Sequence, residues 1–269
     1  MTGSDERIEL NGVAARTDDL RTIVQTNYGH FTALRVEEGG VRGLDLHLAR
    51  LDAATRALFG APLEAERVRA YLRHIVDGAS ALSVRINVFA RGLDRDNLNR
   101  VVEPDILMTS SPARACTRTR VRVKSFVYAR DAAQVKHVGT FPLFHHRRRA
   151  QIDGFDDALF TDATGRISEG SIWNVGFVAT DGGIIWPDAP QLDGVSMQLL
   201  KIGLARSGVN STVQTIRLAD LPSYRAAFFT NASAPVRPIA SIDAHHFDAT
   251  HAVLETLVEC YESNALQII

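Results

Sequence analysis

The sequence predicts an α+β chain of many strands built in two halves, and three observations predict it. Two consecutive stretches carry apolar residues at helical spacing and each ends at a glycine. Several short segments alternate apolar and polar residues between turn signals. A polar tract of small residues, "PARACTRTR", separates the two sets of elements.

In "DLHLARLDAATRALFG", Leu46, Leu48, Leu51, Ala54, Leu58 and Phe59 recur on one helix face and Gly60 follows as a stop. "LEAERVRAYLRHIVDG" repeats that design up to Gly78. "LSVRINVFARG" alternates before Gly92, and "DILMTSSP" is a further strand that ends at Pro112. Helices packed on one side of a sheet satisfy this order. The tract that follows places the division of the chain at 1–112, a linker at 113–120, and a second domain at 121–269. That second half opens on strand "VRVKSFVY", then a helix over roughly 141–153. Strands follow around "DALFTD", "GRISEG", "IWNVGFVAT" and "IIWP", then a helix from Val195, strands at "STVQTI" and "AAFFTNA", and a last helix from Asp248 towards Ser263.

Composition narrows the function classes. The 269 residues are 45% hydrophobic and 23% charged, enough to bury a full core, and the net charge of −1 offers no field for collecting nucleic acid or anionic lipid. Cys116 and Cys260 are the only cysteines and form neither a disulfide framework nor a thiolate metal spacing. A reducing cytosol is expected. The N-terminal "MTGSDERIEL" has no apolar core region, and no stretch reaches the roughly 18 apolar residues of a membrane span. The pairs His145–His146 and His245–His246 lack metal spacing and an acidic third ligand, so no metal is expected. The arginines of "HHRRRAQ" lack interleaved aromatics and read as a solvated helix face rather than a nucleic-acid patch. Trp173 and Trp186 lie in strand patterns and read as packing residues.

Four stretches, in order, resemble one family. They are "YGHFTALRV" with "LDLHLARL"; "VKHVGTFPLFHHRRRAQIDGFDDALFTDATGRISEGSIWNVGFV"; "LDGVSMQLL"; and "FFTNASAPVRPIASID". Together they sample nearly the whole chain and resemble the class IV, or fold type IV, pyridoxal-phosphate enzymes. These include branched-chain aminotransferases, D-amino-acid aminotransferases and aminodeoxychorismate lyase. The resemblance implies a two-domain, D-amino-acid-aminotransferase-like fold, a homodimer, and pyridoxal 5'-phosphate bound between the domains.

Such an enzyme needs one lysine that bonds covalently to the cofactor and whose neutral amine is accessible. Lys136 matches the family's lysine; otherwise it reads as an exposed lysine at a helix start, and Lys124 and Lys201 are the only other lysines. Glu169 in "GRISEGSIWN" matches the carboxylate that keeps the pyridine nitrogen protonated. Asn174 and Ser171 are expected to hold the turn that aims it, or to be ordinary turn residues. Arg50 in "HLARL" matches the phosphate-binding arginine, whose planar fork suits phosphate oxygens. Gly194, Val195 and Ser196 open a helix whose free N–H groups favour an anion, and a capped helix needs the same geometry. Asn231, Ala232 and Ser233 resemble a second phosphate-contacting turn, with the donor among them left open.

On the substrate side, Phe31 and Thr32 fall in the first motif, and Thr32 stands where many transaminases of the family carry a glutamate, as in the lyase. Phe141 stands five residues after Lys136, where branched-chain enzymes carry a tyrosine. The arginine–histidine pair of the D-amino-acid enzymes has no copy; Arg91, Arg95 and Arg100 are available, as substrate ligands or as structural residues. Amino transfer between an amino acid or amine and an α-keto acid is the expected reaction. The alternatives are pyruvate elimination from aminodeoxychorismate and a non-catalytic member of the family.

Overall fold

A computed structural model describes residues 6–269 except Arg114 and Thr117. Parts of the expected N-terminal domain and of the 113–120 linker therefore lie outside the described residues. The chain forms two compact units, 1–115 with 135–139 and 265–269, and 116–134 with 140–264. The division after Ala115 falls within the polar tract. The segment carrying Lys136 and the last residues, however, group with the first unit rather than with the second, where the sequence had placed them.

Chain order begins with β1 (Arg7–Leu10), β2 (Val13–Ala14), α1 (Arg21–Thr26), β3 (His30–Glu37) and β4 (Gly40–Arg42). It continues with α2 (Leu44–Phe59), α3 (Ala65–Val76), β5 (Ala81–Phe89) and β6 (Asp105–Pro112). Next come β7 (Val121–Val127), α4 (Phe141–Ile152), β8 (Asp157–Thr161), β9 (Ile167–Gly170), β10 (Asn174–Val178) and β11 (Ile184–Pro187). The remainder is α5 (Val195–Arg206), β12 (Ser211–Gln214), β13 (Ala226–Asn231), β14 (Ala234–Ile242), β15 (His245–His246), α6 (Val253–Glu262) and β16 (Leu266–Ile268).

The first unit holds an antiparallel sheet of order β16-β4-β3-β5-β6-β1-β2. Strand β5 shows why one face is covered: Leu82, Val84, Ile86 and Val88 join the apolar side chains of α2 and α3, including Leu51 and Leu72. Ser83, Arg85 and Asn87 alternate with them and fall on the opposite face. Burying one face of each strand and one stripe of each helix is what fixes this register.

The second unit is a nine-stranded sheet of order β12-β11-β10-β13-β14-β7-β8-β9, with β15 on β14. Strand β9 also pairs with β10, so six strands close into a barrel. Strand β13 is apolar on both faces because both are buried: Ala227 and Phe229 pack with Val175 and Phe177 in one cluster. Ala226 and Phe228 pack in another with Trp186 and with Leu200, Leu204 and Leu257 of α5 and α6. Trp173, expected in a strand, instead occupies the turn before β10, where it is buried and stacked on Phe229 at 5.0 Å between ring centroids.

Candidate active site

In the first unit the site is built on β3, α2 and the returning segment 135–139. Lys136 does not begin a helix: α4 starts at Phe141, and Lys136 lies on an extended segment laid beside the start of β3. Its carbonyl accepts from Phe31 N at 2.9 Å, Val138 N donates to Gly29 O at 2.9 Å, and His30 and His137 form an antiparallel bridge. Buried Val135 anchors the segment. Lys136 is half-buried, and its Nζ lies 4.9 Å from the centroid of the Phe31 ring. The same ring carries the Arg85 guanidinium 3.5 Å from its centroid, so one aromatic ring gathers two cations.

Behind β3, α2 places His47 and Arg50 three residues apart on one helix face. Arg50 Nη2 donates to Thr32 Oγ1 at 2.7 Å, and Thr32 Oγ1 lies 2.7 Å from His47 Nδ1. Burial, with the charges of Arg50 and Lys136 added, pushes the His47 pKa down to about 3. His30, whose Nε2 lies 2.9 Å from Thr55 Oγ1, is pushed down to about 4 by burial and by Arg50. Thr55 gives its own proton to Leu51 O at 2.8 Å, so His30 is the donor there and is the neutral Nε2–H tautomer.

In the second unit Glu169 is 4% exposed. One of its carboxylate oxygens accepts from Arg130 Nη1 at 3.2 Å and the other from Leu192 N at 3.2 Å. Asn174, its register partner on the adjacent strand β10, donates to Leu192 O at 2.7 Å and to Gln191 Oε1 at 2.9 Å. Asn174 thus holds the loop into α5 rather than the turn after Glu169, and Ser171 is turned to Asp157 Oδ1 at 2.6 Å. Gly194 caps α5 with Val195 and Ser196 buried in its first turn. A Cβ at Gly194 would stand 2.0 Å from Asn174 Oδ1, so only glycine lets the α5 N-terminus approach this closely.

Asn231 turns its side-chain oxygen back on its own loop, accepting from Ser233 N at 3.0 Å and Ala234 N at 2.8 Å. The turn 231–233 is therefore a shaped backbone loop at a bulge of β13, with Ala232 at its tip. Thr230, just before it, is 1% exposed and its Oγ1 has no hydrogen-bond partner among the described residues. It is the register partner of Asn174, so its side chain falls on the face that Asn174 shows to Gly194.

Arg91, expected as a substrate ligand or a structural residue, has its guanidinium 2.7 Å from Asp19 and 3.0 Å from Asp105, contacts that fasten the end of β5. Phe141 is 78% exposed and stacks on His145. Among the described residues no group of three or more metal-ligating side chains is found.

Arg85, Arg130, His47 and Thr230 were not singled out in the sequence. The alternation of "SVRINV" was a signal for Arg85, and the i, i+3 spacing to Arg50 one for His47. Arg130 had none, because its partner lies 39 residues further on.

Within the second unit, a helix N-terminus kept open by glycine, a buried hydroxyl without a partner among the described residues and a buried carboxylate are groups that fit a phosphate-bearing aromatic cofactor, and in the first unit Arg50 is a side chain of the kind that binds phosphate. A sequence model of the Amino-transferase class IV family matches residues 29–242. A comparison with curated protein sequences yields no match. Among solved structures, a branched-chain aminotransferase of Thermoproteus uzoniensis, crystallised with norvaline, is 19% identical with a TM-score of 0.85, covering 97% of this chain and 94% of that one. A candidate 4-amino-4-deoxychorismate lyase of Legionella pneumophila is 19% identical with a TM-score of 0.79, covering 90% and 93%. A hypothetical aminotransferase of Mycobacterium tuberculosis in its PLP-bound form is 19% identical with a TM-score of 0.81, covering 96% and 98%. With the family matched across most of its length and this fold, the chain belongs to the class IV aminotransferases, whose enzymes use pyridoxal phosphate.

Proposed function

We propose that the protein transfers an amino group between a small amino acid or amine and an α-keto acid. The observation that carries this reading is the Phe31 ring, which has Lys136 Nζ 4.9 Å and the Arg85 guanidinium 3.5 Å from its centroid. An amine and a fixed cation suited to a carboxylate-bearing substrate thereby share one aromatic ring. Bound pyridoxal phosphate supplies a carbonyl for the substrate amine and an electron sink for the resulting carbanion.

The residues of this chain do the rest. Arg50 is assigned to the phosphate, and so is the N-terminus of α5, with Gly194, Val195 and Ser196. The 231–233 turn and Thr230 add donors near that terminus. Glu169 holds a proton at the pyridine nitrogen, its own geometry fixed by Arg130 and Leu192 N. Lys136 Nζ takes the substrate's α-proton and delivers it in the second half of the exchange. Arg85 orients the substrate carboxylate, and Phe31 keeps water from the amine.

Elimination of pyruvate is the second reading, favoured by Thr32, a hydroxyl in place of a carboxylate, and by Phe141, exposed and without a hydroxyl. The test is the visible absorption of the purified holoenzyme against panels of L- and D-amino acids. Conversion to the pyridoxamine form supports transfer, whereas pyruvate release with no amino acceptor supports elimination. A homodimer is part of the proposal, supported by Phe141, Phe144 and Ile152 exposed along α4, and is read by light scattering. A cytoplasmic location is supported by Cys116 and Cys260, both free thiols. No described helix is long and apolar enough to cross a membrane.

A further inference from the structure

Thr32 is fully buried, yet it carries a hydroxyl in the layer between β3 and α2 that is otherwise packed by Leu34, Leu48 and Leu51. A buried hydroxyl in such a layer costs stability unless both its donor and acceptor capacities are used. Here the partners fix how they are used. Arg50 can only donate, so Thr32 Oγ1 accepts from Nη2 at 2.7 Å. The hydroxyl proton then has an acceptor 2.7 Å away in His47 Nδ1, provided that this nitrogen carries its lone pair. His47 is 4% exposed and its burial keeps the ring neutral, which makes Nδ1 the acceptor and Nε2 the protonated nitrogen. The direction of both bonds is thus set, running from Arg50 to Thr32 to His47.

We infer that Thr32 and His47 are positioning residues that hold the Arg50 guanidinium in place for the cofactor's phosphate without neutralising it. The inference rests on the assignment of Arg50 to that phosphate. A carboxylate at position 32 would also fix the guanidinium, but would offset its charge; a hydroxyl backed by a neutral imidazole adds no negative charge beside it. Fixing the guanidinium before the anion arrives reduces the ordering cost of binding. Neither residue touches the reacting atoms, so the effect falls on phosphate recognition and not on the ring.

The experiment compares two ligands of apoenzyme prepared from the holoenzyme: pyridoxal phosphate, and pyridoxal, which lacks the phosphate. Thr32→Val removes the hydroxyl and keeps the shape. It should raise the Kd for pyridoxal phosphate about tenfold, the worth of one bond to a charged group, and leave that for pyridoxal unchanged. Thr32→Ser, which keeps the O–H, should restore the wild-type ratio of the two, and His47→Leu should shift it as the valine does. An unchanged ratio in Thr32→Val overturns the positioning role, and so does an equal loss for both ligands, which would make Thr32 a residue of the fold only. Arg50→Ala separates the two levels. If it lowers the ratio while Thr32→Val does not, positioning alone fails; if it leaves the ratio intact, the phosphate assignment fails and the inference with it.

Discussion

Glu169 and Asn174 are register partners across the pairing that closes the β-barrel, and both reach the same backbone unit. Glu169 accepts from Leu192 N at 3.2 Å while Asn174 donates to Leu192 O at 2.7 Å. The pairing that closes the barrel therefore also clamps the loop that delivers α5. A residue pair that serves the fold and the site together makes substitutions at either position informative about both.

Lys136→Ala should lower turnover by a factor on the order of 10^3 or more if Lys136 moves the α-proton as proposed. Its backbone bonds to Phe31 and Val138's bond to Gly29 do not involve the side chain, so thermal stability should stay near wild type. Steady-state assay and calorimetry decide it; a variant with normal turnover would refute the assignment.

Arg130 and Glu169 form a buried ion pair, each side chain 6% exposed. Arg130→Met takes a buried guanidinium away from the buried Glu169 carboxylate, and should cost about 3 kcal/mol of stability. Urea unfolding checks this. A midpoint within error of wild type would show the pair to be dispensable.

The neutral histidines set a pH dependence. His30 and His47 have pKa values lowered to about 4 and about 3 from an unfolded value of 6.5. The unfolded chain therefore binds more protons than the folded one below pH 6.5. Stability is full above that pH and falls as the pH drops towards the folded values, by about 1.4 kcal/mol per pH unit for each histidine. Denaturation curves at pH 7 and pH 5 should differ by about 2–4 kcal/mol on this ground, before carboxylate titration sets in. Identical curves would mean that the two rings are not held neutral.

Gly194→Ala should drive a Cβ into Asn174 Oδ1, 2.0 Å away, and weaken cofactor binding by about tenfold through the displaced α5 terminus. Adding Asn174→Ala relieves the clash, so the double variant should lose less than the sum of the single losses. Additive losses in a double-mutant cycle would remove the contact from consideration.

Thr230→Val replaces a buried hydroxyl that has no partner among the described residues with a methyl of similar shape. The apoenzyme should be as stable as wild type or more so. Pyridoxal phosphate affinity should fall if the hydroxyl serves the phosphate, and an unchanged Kd would leave it without that role.

Much of this was legible in the sequence where periodicity is local. The strand "DILMTSSP" is β6 residue for residue, and both amphipathic helices stand within two residues of their expected ends. Strand β14 was not visible, because Pro235 and Pro238 interrupt any strand pattern and its pairing with β13 and β7 supplies what the sequence lacks. Strands β1, β2 and β16 are too short to carry a period. The site followed the same division. Lys136, Glu169 and Arg50 stand in motifs, whereas the Arg130–Glu169 pair and the Thr32–His47 bond join residues far apart in sequence. The sequence places Lys136 in the second half, whereas residues 135–139 group with the first unit, because nothing in its neighbours shows that the chain crosses back to lie along β3.

That crossing, with β16 on the edge of the first sheet, orders the making of the protein in time. Strand β4 receives its partner from residues 266–268, which a ribosome adds only after the whole barrel sequence has been made. The first unit therefore waits, with an open strand edge, for the synthesis of the second; a pause in translation between them would lengthen the interval in which that edge can pair with another chain.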